Sequence, residues 1–151
     1  MRTIISDSSC LIALHNAGEL DLLREVFGEV TITAVIAEEY RLPLPHWLIV
    51  VSNRDPVPDS FQGIDLDPGE ASAIALACEL GDAVLIVDDL KARRVAELLS
   101  IDFMGTLGVA VEAKKLGVLP SIRPLIQKLR SAGLWFSAEV EQRALSEANE
   151  I

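Results

Sequence analysis

Cysteine and histidine are scarce in this sequence of 151 residues, which contains only two of each. Cys10 and Cys78 each lie in an apolar, helix-like stretch of sequence. Free cysteine behaves as a small apolar residue, so we expect two reduced thiols buried in the core. His15 and His46 are too few and too isolated in the sequence to form a zinc site.

Long apolar runs and excess basic charge are also missing. The apolar runs, residues 47–51 and 83–87 among them, fall far short of the roughly 18 residues that cross a bilayer. No signal-peptide pattern is visible at the N-terminus, so we expect a cytoplasmic protein.

The formal net charge of −10 argues against broad, nonspecific binding of nucleic acid. It is still compatible with an enzyme that acts on nucleic acid, because a bound metal supplies local positive charge.

Short apolar strands alternate with helices along the whole chain. The predicted strands are residues 2–6, 30–32, 47–51, 83–87 and 101–104. The predicted helices are residues 8–17, 19–27, 34–40, 67–80, 90–99, 109–116, 121–131 and 137–149. Residues 52–66, which are rich in proline and polar side chains, are predicted to form a loop. This alternation predicts one domain, residues 1–151, with a mostly parallel central sheet, a three-layer α/β/α fold and C-terminal helices from about residue 120.

Acidic residues recur where predicted strands end and helices begin. Asp7 follows the first strand, Asp88 and Asp89 follow the fourth, and Glu70 lies in the first turn of a helix. The carboxyl ends of parallel strands meet at one edge of a sheet, where such folds bind their ligands. Hard divalent cations prefer oxygen ligands. The sequence therefore predicts metal-dependent phosphoryl chemistry at this edge.

Two of these acidic positions also have an ordinary structural interpretation as helix caps. Asp7 could cap the following helix, but Ser8 or Ser9 could do so equally well, which would leave Asp7 free. One aspartate of the Asp88–Asp89 pair is sufficient to cap the next helix, so the other is surplus. We favour Asp88 as a metal ligand because it lies nearer the strand, with Asp89 as the alternative.

The glutamates are less clearly assigned by the sequence. Glu70 fits the third position of a capping box that Asp67 begins, and this structural role is compatible with a place in the site. Glu38 and Glu39 lie late in a short helix, and neighbouring residues on a helix differ by about 100° in direction. One of the two is therefore expected to point inward, and composition does not decide which.

Two further features have a weak functional interpretation. Lys91, Arg93 and Arg94 follow the aspartate pair, and we interpret them as a solvated helix face in preference to a phosphate contact. The segment 105–108, Gly-Thr-Leu-Gly, could present backbone N–H groups to a phosphate at a helix start. It lacks the lysine and the glycine spacing of a P-loop.

Three segments together resemble a known family. Residues 7–12, Asp-Ser-Ser-Cys-Leu-Ile, resemble the opening Asp-Ser-Ser-x-Leu-Ile motif of PIN domains. Residues 69–77 resemble the central helix in which PIN domains carry their third acid. Residues 85–96, followed by 105–109, resemble a prokaryotic PIN-like branch related to VapC-type toxins. The resemblance spans residues 3 to about 117.

The resemblance implies a ribonuclease that depends on Mg²⁺ or Mn²⁺ and activates water to attack an RNA phosphodiester. By position, Asp7 matches the first acid, Glu39 the second with Glu38 as the alternative, Glu70 the third and Asp88 the fourth. Asp7, Glu39 and Asp88 are the expected metal ligands. Glu70 departs from the aspartate that many of these toxins carry. The resemblance further implies a small antitoxin partner and a homodimer.

Other functions compete with this hypothesis. The glutamate at position 70 and the acidic net charge favour a PIN-like module that binds nucleic acid or protein without catalysis. The aspartate pair suggests a phosphoacceptor receiver domain, although receivers carry paired acids after the first strand. A haloacid-type phosphatase needs a second aspartate two residues after Asp7, where Ser9 stands.

Overall fold

The computed structural model describes residues 2–55 and 65–151 and contains a central parallel sheet. Within these residues the sheet has five strands, in the order β3-β2-β1-β4-β5, and every neighbouring pair is parallel. The strands are β1 (Thr3–Ser6), β2 (Val30–Thr33), β3 (Leu48–Val51), β4 (Ala83–Ile86) and β5 (Asp102–Met104). All four residues of β4 are buried, as expected for a strand covered by helices on both faces.

Helices flank the sheet and complete the predicted three-layer α/β/α fold, which is confirmed. They are α1 (Ser8–Asn16), α2 (Leu22–Phe27), α3 (Ala34–Tyr40), α4 (Pro68–Leu80), α5 (Leu90–Leu98), α6 (Thr106–Lys115), α7 (Arg123–Ser131) and α8 (Ala138–Glu147). In the part of the chain that the structure describes, no helix combines the length and apolar character needed to cross a bilayer.

The strand order reverses between β1 and β4, and this reversal determines where the site lies. After β1 the chain builds β2 and β3 on one side, and it then returns to add β4 and β5 on the other. Ser6 pairs with Ile86, so the two strands end at the same level. The Asp7 backbone N–H donates to the Ile86 carbonyl at 3.1 Å. Open α/β sheets bind ligands in the crevice outside such a reversal.

The same strand order bears on the receiver-domain alternative. Receiver domains have the flavodoxin-like order 2-1-3-4-5, whereas the order here is 3-2-1-4-5. The connections of the two sheets therefore differ. The receiver interpretation is wrong for this chain.

Two helices begin three residues away from their predicted starts. α6 begins at Thr106, three residues before the predicted start, because Gly105 has an extended backbone and acts as the N-cap. α2 begins at Leu22 because residues 19–21 form a turn after α1. Of the predicted loop, residues 56–64 lie outside the described residues.

The prediction of a buried thiol is confirmed for Cys10 and wrong for Cys78. Cys10 is buried in the core, whereas Cys78 is exposed on α4. α4 is so rich in alanine that its apolar residues do not form a clear stripe, and the sequence pattern therefore does not identify its outward face.

The C-terminal helices pack on the domain, and Glu150 joins the end of the chain to the segment before α7. Its carboxylate accepts hydrogen bonds from the Ser121 hydroxyl at 2.6 Å and the Ile122 backbone N–H at 2.7 Å, and Lys114 Nζ lies 3.2 Å away. Burial raises the pKa of Glu150, but these contacts outweigh it and bring the pKa to about 2.

Candidate active site

Asp7 lies at the junction of β1 and α1, directly in the crevice between β1 and β4. Only 5% of the residue is exposed. Its Oδ1 atom accepts a hydrogen bond from the Cys10 backbone N–H at 2.9 Å, so Asp7 itself is the N-cap of α1. Ser8 and Ser9, which could equally well have capped the helix, do not take this role, because the cap position falls one residue earlier.

The environment of Asp7 opposes its ionisation. Burial raises its pKa from 3.8 to about 7, the hydrogen bond from Cys10 lowers it, and the negative charges of Asp88, Glu70 and Asp67 raise it further. A carboxyl group with a pKa near neutrality, placed in a crevice beside other acids, is typical of functional sites.

The neighbouring aspartates after β4 have different surroundings. Asp89 is exposed and caps α5, since its Oδ2 accepts from the Ala92 backbone N–H at 3.0 Å. Asp88 accepts two hydrogen bonds from Thr106, from the backbone N–H to Oδ1 at 2.9 Å and from the hydroxyl to Oδ2 at 2.6 Å. Asp88 is thus fixed between the end of β4 and the start of α6, whereas Asp89 acts as a cap.

Arg93 lies beside Asp88 and differs from the other two cations of this segment. Its Nε donates to the Val87 carbonyl at 2.9 Å, and its Nη2 lies 3.9 Å from Asp88 Oδ1. Lys91 pairs with Asp65 at the surface. The interpretation of the segment as a solvated face is therefore wrong for Arg93, which is held at the site by the end of β4.

Gly105 leaves room for both of these side chains. A Cβ at this position would lie 2.7 Å from Asp88 Oδ1 and would overlap Arg93 Nη2. Its φ of −91° is ordinary, so the need for glycine here is steric. From the sequence alone, residues 105–108 are a possible phosphate loop, and the roles of Gly105 and Thr106 in positioning Asp88 are not predicted. The only sequence signal for these roles is a Gly-Thr pair between a strand and a helix.

Glu39 is the glutamate of its pair that faces the other acids. The Ser8 hydroxyl donates to Glu39 Oε2 at 2.9 Å. The Glu39 carboxylate also packs against Gly69, where a Cβ would lie 2.9 Å from Glu39 Cδ. The carboxylate is therefore placed near the N-termini of α1 and α4, whose dipoles favour negative charge. Glu38, which is exposed like Glu39, has no side-chain hydrogen bond within residues 2–55 and 65–151.

Glu70 forms the predicted capping box with Asp67. The Glu70 backbone N–H donates to Asp67 Oδ1 at 2.7 Å, and the Asp67 backbone N–H donates to Glu70 Oε1 at 3.3 Å. Burial raises the pKa of Glu70 to about 7, with a further contribution from the charge of Asp67. Glu70 is therefore a structural cap whose carboxyl group also titrates near neutrality.

The acids occupy one edge of the sheet without forming a closed set of metal ligands. The carboxylates of Asp7, Glu39, Glu70 and Asp88 all lie near N-termini of helices on the carboxyl side of the strands. Among the residues with described positions, no three His, Cys, Asp or Glu side chains are close enough to share one ion. The chemistry of the donors nevertheless fits a hard cation such as Mg²⁺ or Mn²⁺, because carboxylate oxygens are its preferred ligands.

Comparison with known proteins supports the same fold. A family model described as a PIN domain matches residues 3–150, which is nearly the whole chain. No curated protein and no solved structure matches it significantly. PIN domains are generally nucleases and typically depend on divalent metals. The chain belongs to the PIN-domain family.

Proposed function

We propose that this protein is a ribonuclease that depends on Mg²⁺ or Mn²⁺ and hydrolyses RNA phosphodiesters in the cytoplasm. Asp7, Glu39, Glu70 and Asp88 are the proposed catalytic carboxylates. The observation that carries the proposal is the placement of Asp7 and Asp88 on either side of the crevice at the β1–β4 reversal. The raised pKa of the buried Asp7 supports it, because a cation is the natural counter-charge for such a group.

Asp7 and Asp88 would hold the cation directly, and Glu39 would complete its shell through bound water, since no three of the described carboxylates lie close enough to share one ion. When bound, a divalent cation lowers the pKa of water and neutralises charge on the phosphoryl group. Asp7 would be ionised beside a cation, because a positive neighbour lowers the pKa of a carboxyl group. Thr106 fixes Asp88 through both carboxylate oxygens, and each oxygen retains a lone pair.

Other residues contact the substrate and accept the proton of the attacking water. Glu70 is suited to orient the attacking water and to take its proton near neutral pH, since its pKa is about 7. Arg93, next to Asp88, is placed to contact a phosphate oxygen of the substrate.

RNA cleavage by the purified protein tests this proposal directly. We expect cleavage of single-stranded RNA with Mg²⁺ or Mn²⁺, none with EDTA, and loss of cleavage in Asp7→Asn and Asp88→Asn. Glu97→Gln is the matched control, because Glu97 is an exposed carboxylate on α5 away from the crevice. Cleavage that survives both EDTA and Asp7→Asn contradicts the mechanism.

The same assay decides between neighbouring acids. Asp88→Asn should abolish cleavage, whereas Asp89→Asn should leave most of it, because Asp89 already serves as the cap of α5. Glu39→Gln should reduce cleavage strongly, and Glu38→Gln should not, because only Glu39 contacts Ser8 and Gly69. If cleavage were lost in Asp89→Asn and kept in Asp88→Asn, Asp89 would be the functional acid of its pair. The same holds for Glu38 if cleavage were lost in Glu38→Gln and kept in Glu39→Gln.

The proposal includes a small antitoxin partner and a homodimer, both motivated by the resemblance to VapC-type toxins. A short reading frame beside this one that encodes a basic or DNA-binding protein would support the pair, provided that its product suppresses RNA cleavage. Light scattering on the purified chain measures the oligomeric state, and a monomer at micromolar concentration would contradict the homodimer.

A second candidate function is a PIN-like module that binds nucleic acid or protein without catalysis. The observation that favours it is the lack of three grouped metal-ligand side chains in residues 2–55 and 65–151. Calorimetric titration with Mg²⁺ separates the two candidates. No heat of binding, together with RNA binding that EDTA does not change, would favour the module.

A further inference from the structure

A groove runs from Asp88 to α8, and we call it the β5–α8 groove. Its cavity volume is about 260 Å³, and it lies between the end of β5, the start of α6 and the segment that joins α7 to α8. Asp88 and Gly105 form part of its wall, so it opens into the proposed active site. The volume is slightly below the roughly 300–1,000 Å³ of pockets for drug-sized ligands, which suits one base and its sugar.

The walls of the groove combine aromatic rings with arginine side chains. Phe103 and Phe136 supply the rings, and Arg93 and Arg143 supply the positive charge. Aromatic faces that stack on bases, together with arginines that contact the backbone, are the combination by which proteins bind single-stranded nucleic acid. The chain carries a net charge of −10, whereas two arginines and two carboxylates line the groove, which is therefore less acidic than the chain as a whole.

Phe136 is held in place from outside the groove. The Arg130 guanidinium carbon lies 4.6 Å from the centroid of its ring, and Arg130 does not line the groove. Arg130 is itself anchored by Glu141 at 2.7 Å. These contacts fix the ring before any ligand binds, which lowers the entropic cost of stacking.

Arg143 is available to a ligand. It is exposed on α8 and makes no side-chain hydrogen bond or ion pair with another residue for which the structure gives a position. Asp88 and Glu147 also line the groove, and each carboxylate disfavours a phosphate. Because two arginines and two carboxylates line the groove, its net charge does not select the ligand. Its two aromatic rings and its opening beside Asp88 favour a nucleotide over a peptide.

We propose that the β5–α8 groove binds the nucleotide next to the scissile phosphate, with Phe136 stacking on its base and Arg143 contacting its phosphate. This assignment rests on the proposed ribonuclease function, because that function defines which phosphate is cleaved. It predicts that the RNA enters the active site as a single strand, because a paired base is not free to stack on Phe136.

Fluorescence anisotropy with a labelled single-stranded RNA, in the Asp7→Asn background that prevents cleavage, tests the groove. We expect about tenfold weaker binding for Phe136→Leu, which removes the aromatic face, and recovery for Phe136→Tyr. Arg143→Gln should also weaken binding. The controls are Trp135→Ala and Arg94→Gln, an exposed tryptophan and an exposed arginine that do not line the groove. Thermal unfolding of each variant shows whether the fold is kept.

The outcomes distinguish the groove from the nuclease. Two results would overturn the groove assignment. One is unchanged RNA binding in both Phe136→Leu and Arg143→Gln, and the other is an equal loss of binding in the two controls. Either result would favour a protein as the occupant of the groove. Hydrolysis of bis(p-nitrophenyl) phosphate, which carries no base, should be the same in wild type and Phe136→Leu, whereas RNA cleavage should fall. A wild-type protein that hydrolyses neither substrate but loses RNA binding in the groove variants contradicts the nuclease and supports the groove.

Discussion

Substituting Asp7 with asparagine should make the protein more stable at alkaline pH. The pKa of Asp7 rises from 3.8 to about 7 on folding, chiefly because the carboxyl group is buried. The folded state therefore binds a proton that the unfolded state has released, and stability falls as the pH rises from about 4 to about 7. Each pKa unit corresponds to about 1.4 kcal/mol, so ionised Asp7 costs about 4 kcal/mol above this range.

Asparagine removes this cost and keeps the helix cap. Asn and Asp are comparable N-caps, so the hydrogen bond from the Cys10 N–H is retained. The difference in the free energy of unfolding between Asp7→Asn and wild type should increase by about 4 kcal/mol between about pH 4 and about pH 8. Urea unfolding at several pH values, without divalent metal, measures this change.

Asp89→Asn is the matched control, since it makes the same substitution at an exposed N-cap. Its effect should stay within about 0.5 kcal/mol at every pH. A constant difference between Asp7→Asn and wild type across this pH range would refute the reasoning. A loss of stability in Asp7→Asn at alkaline pH would refute it as well.

Three further predictions follow from the contacts of single residues. Glu150→Gln should lower the free energy of unfolding by about 2 kcal/mol at neutral pH in urea titrations. That loss should vanish as the pH falls from about 4.5 to about 2, because the folded-state pKa lies below the unfolded one. Gly69→Ala should displace the Glu39 carboxylate and reduce kcat/KM for RNA about tenfold with little change in Tm. Thr106→Val should reduce kcat because Asp88 loses a hydroxyl donor, and Thr106→Ser should restore it.

The sheet and the placement of the acids could be predicted because they depend on local patterns. Each strand is a short apolar run that ends at a turn or a cap, and parallel strands align their carboxyl ends. Asp7 and Asp88 therefore had to lie at the same edge, and the 3-2-1-4-5 order makes them neighbours. The capping box of Asp67 and Glu70 has a fixed spacing of three residues, so it too was readable from the sequence.

The remaining details depend on contacts between distant residues. Thr106 reaches Asp88 across 18 positions of sequence, and no periodic pattern encodes that pairing. The sequence predicts Arg93 at the surface because charged residues on helices are usually exposed. In the structure its guanidinium donates a hydrogen bond to the carbonyl of Val87, directly after β4. Cys78 was misplaced because an alanine-rich helix has no distinct polar face.

Binding of Mn²⁺, measured by electron paramagnetic resonance near pH 8, tests most directly whether the acids of the β1–β4 crevice hold a divalent cation. The account predicts stoichiometric binding by the wild-type protein, at least about tenfold weaker binding by Asp7→Asn and Asp88→Asn, and unchanged binding by Glu97→Gln. Equal affinity in all four proteins, or no bound Mn²⁺ in any, would contradict it.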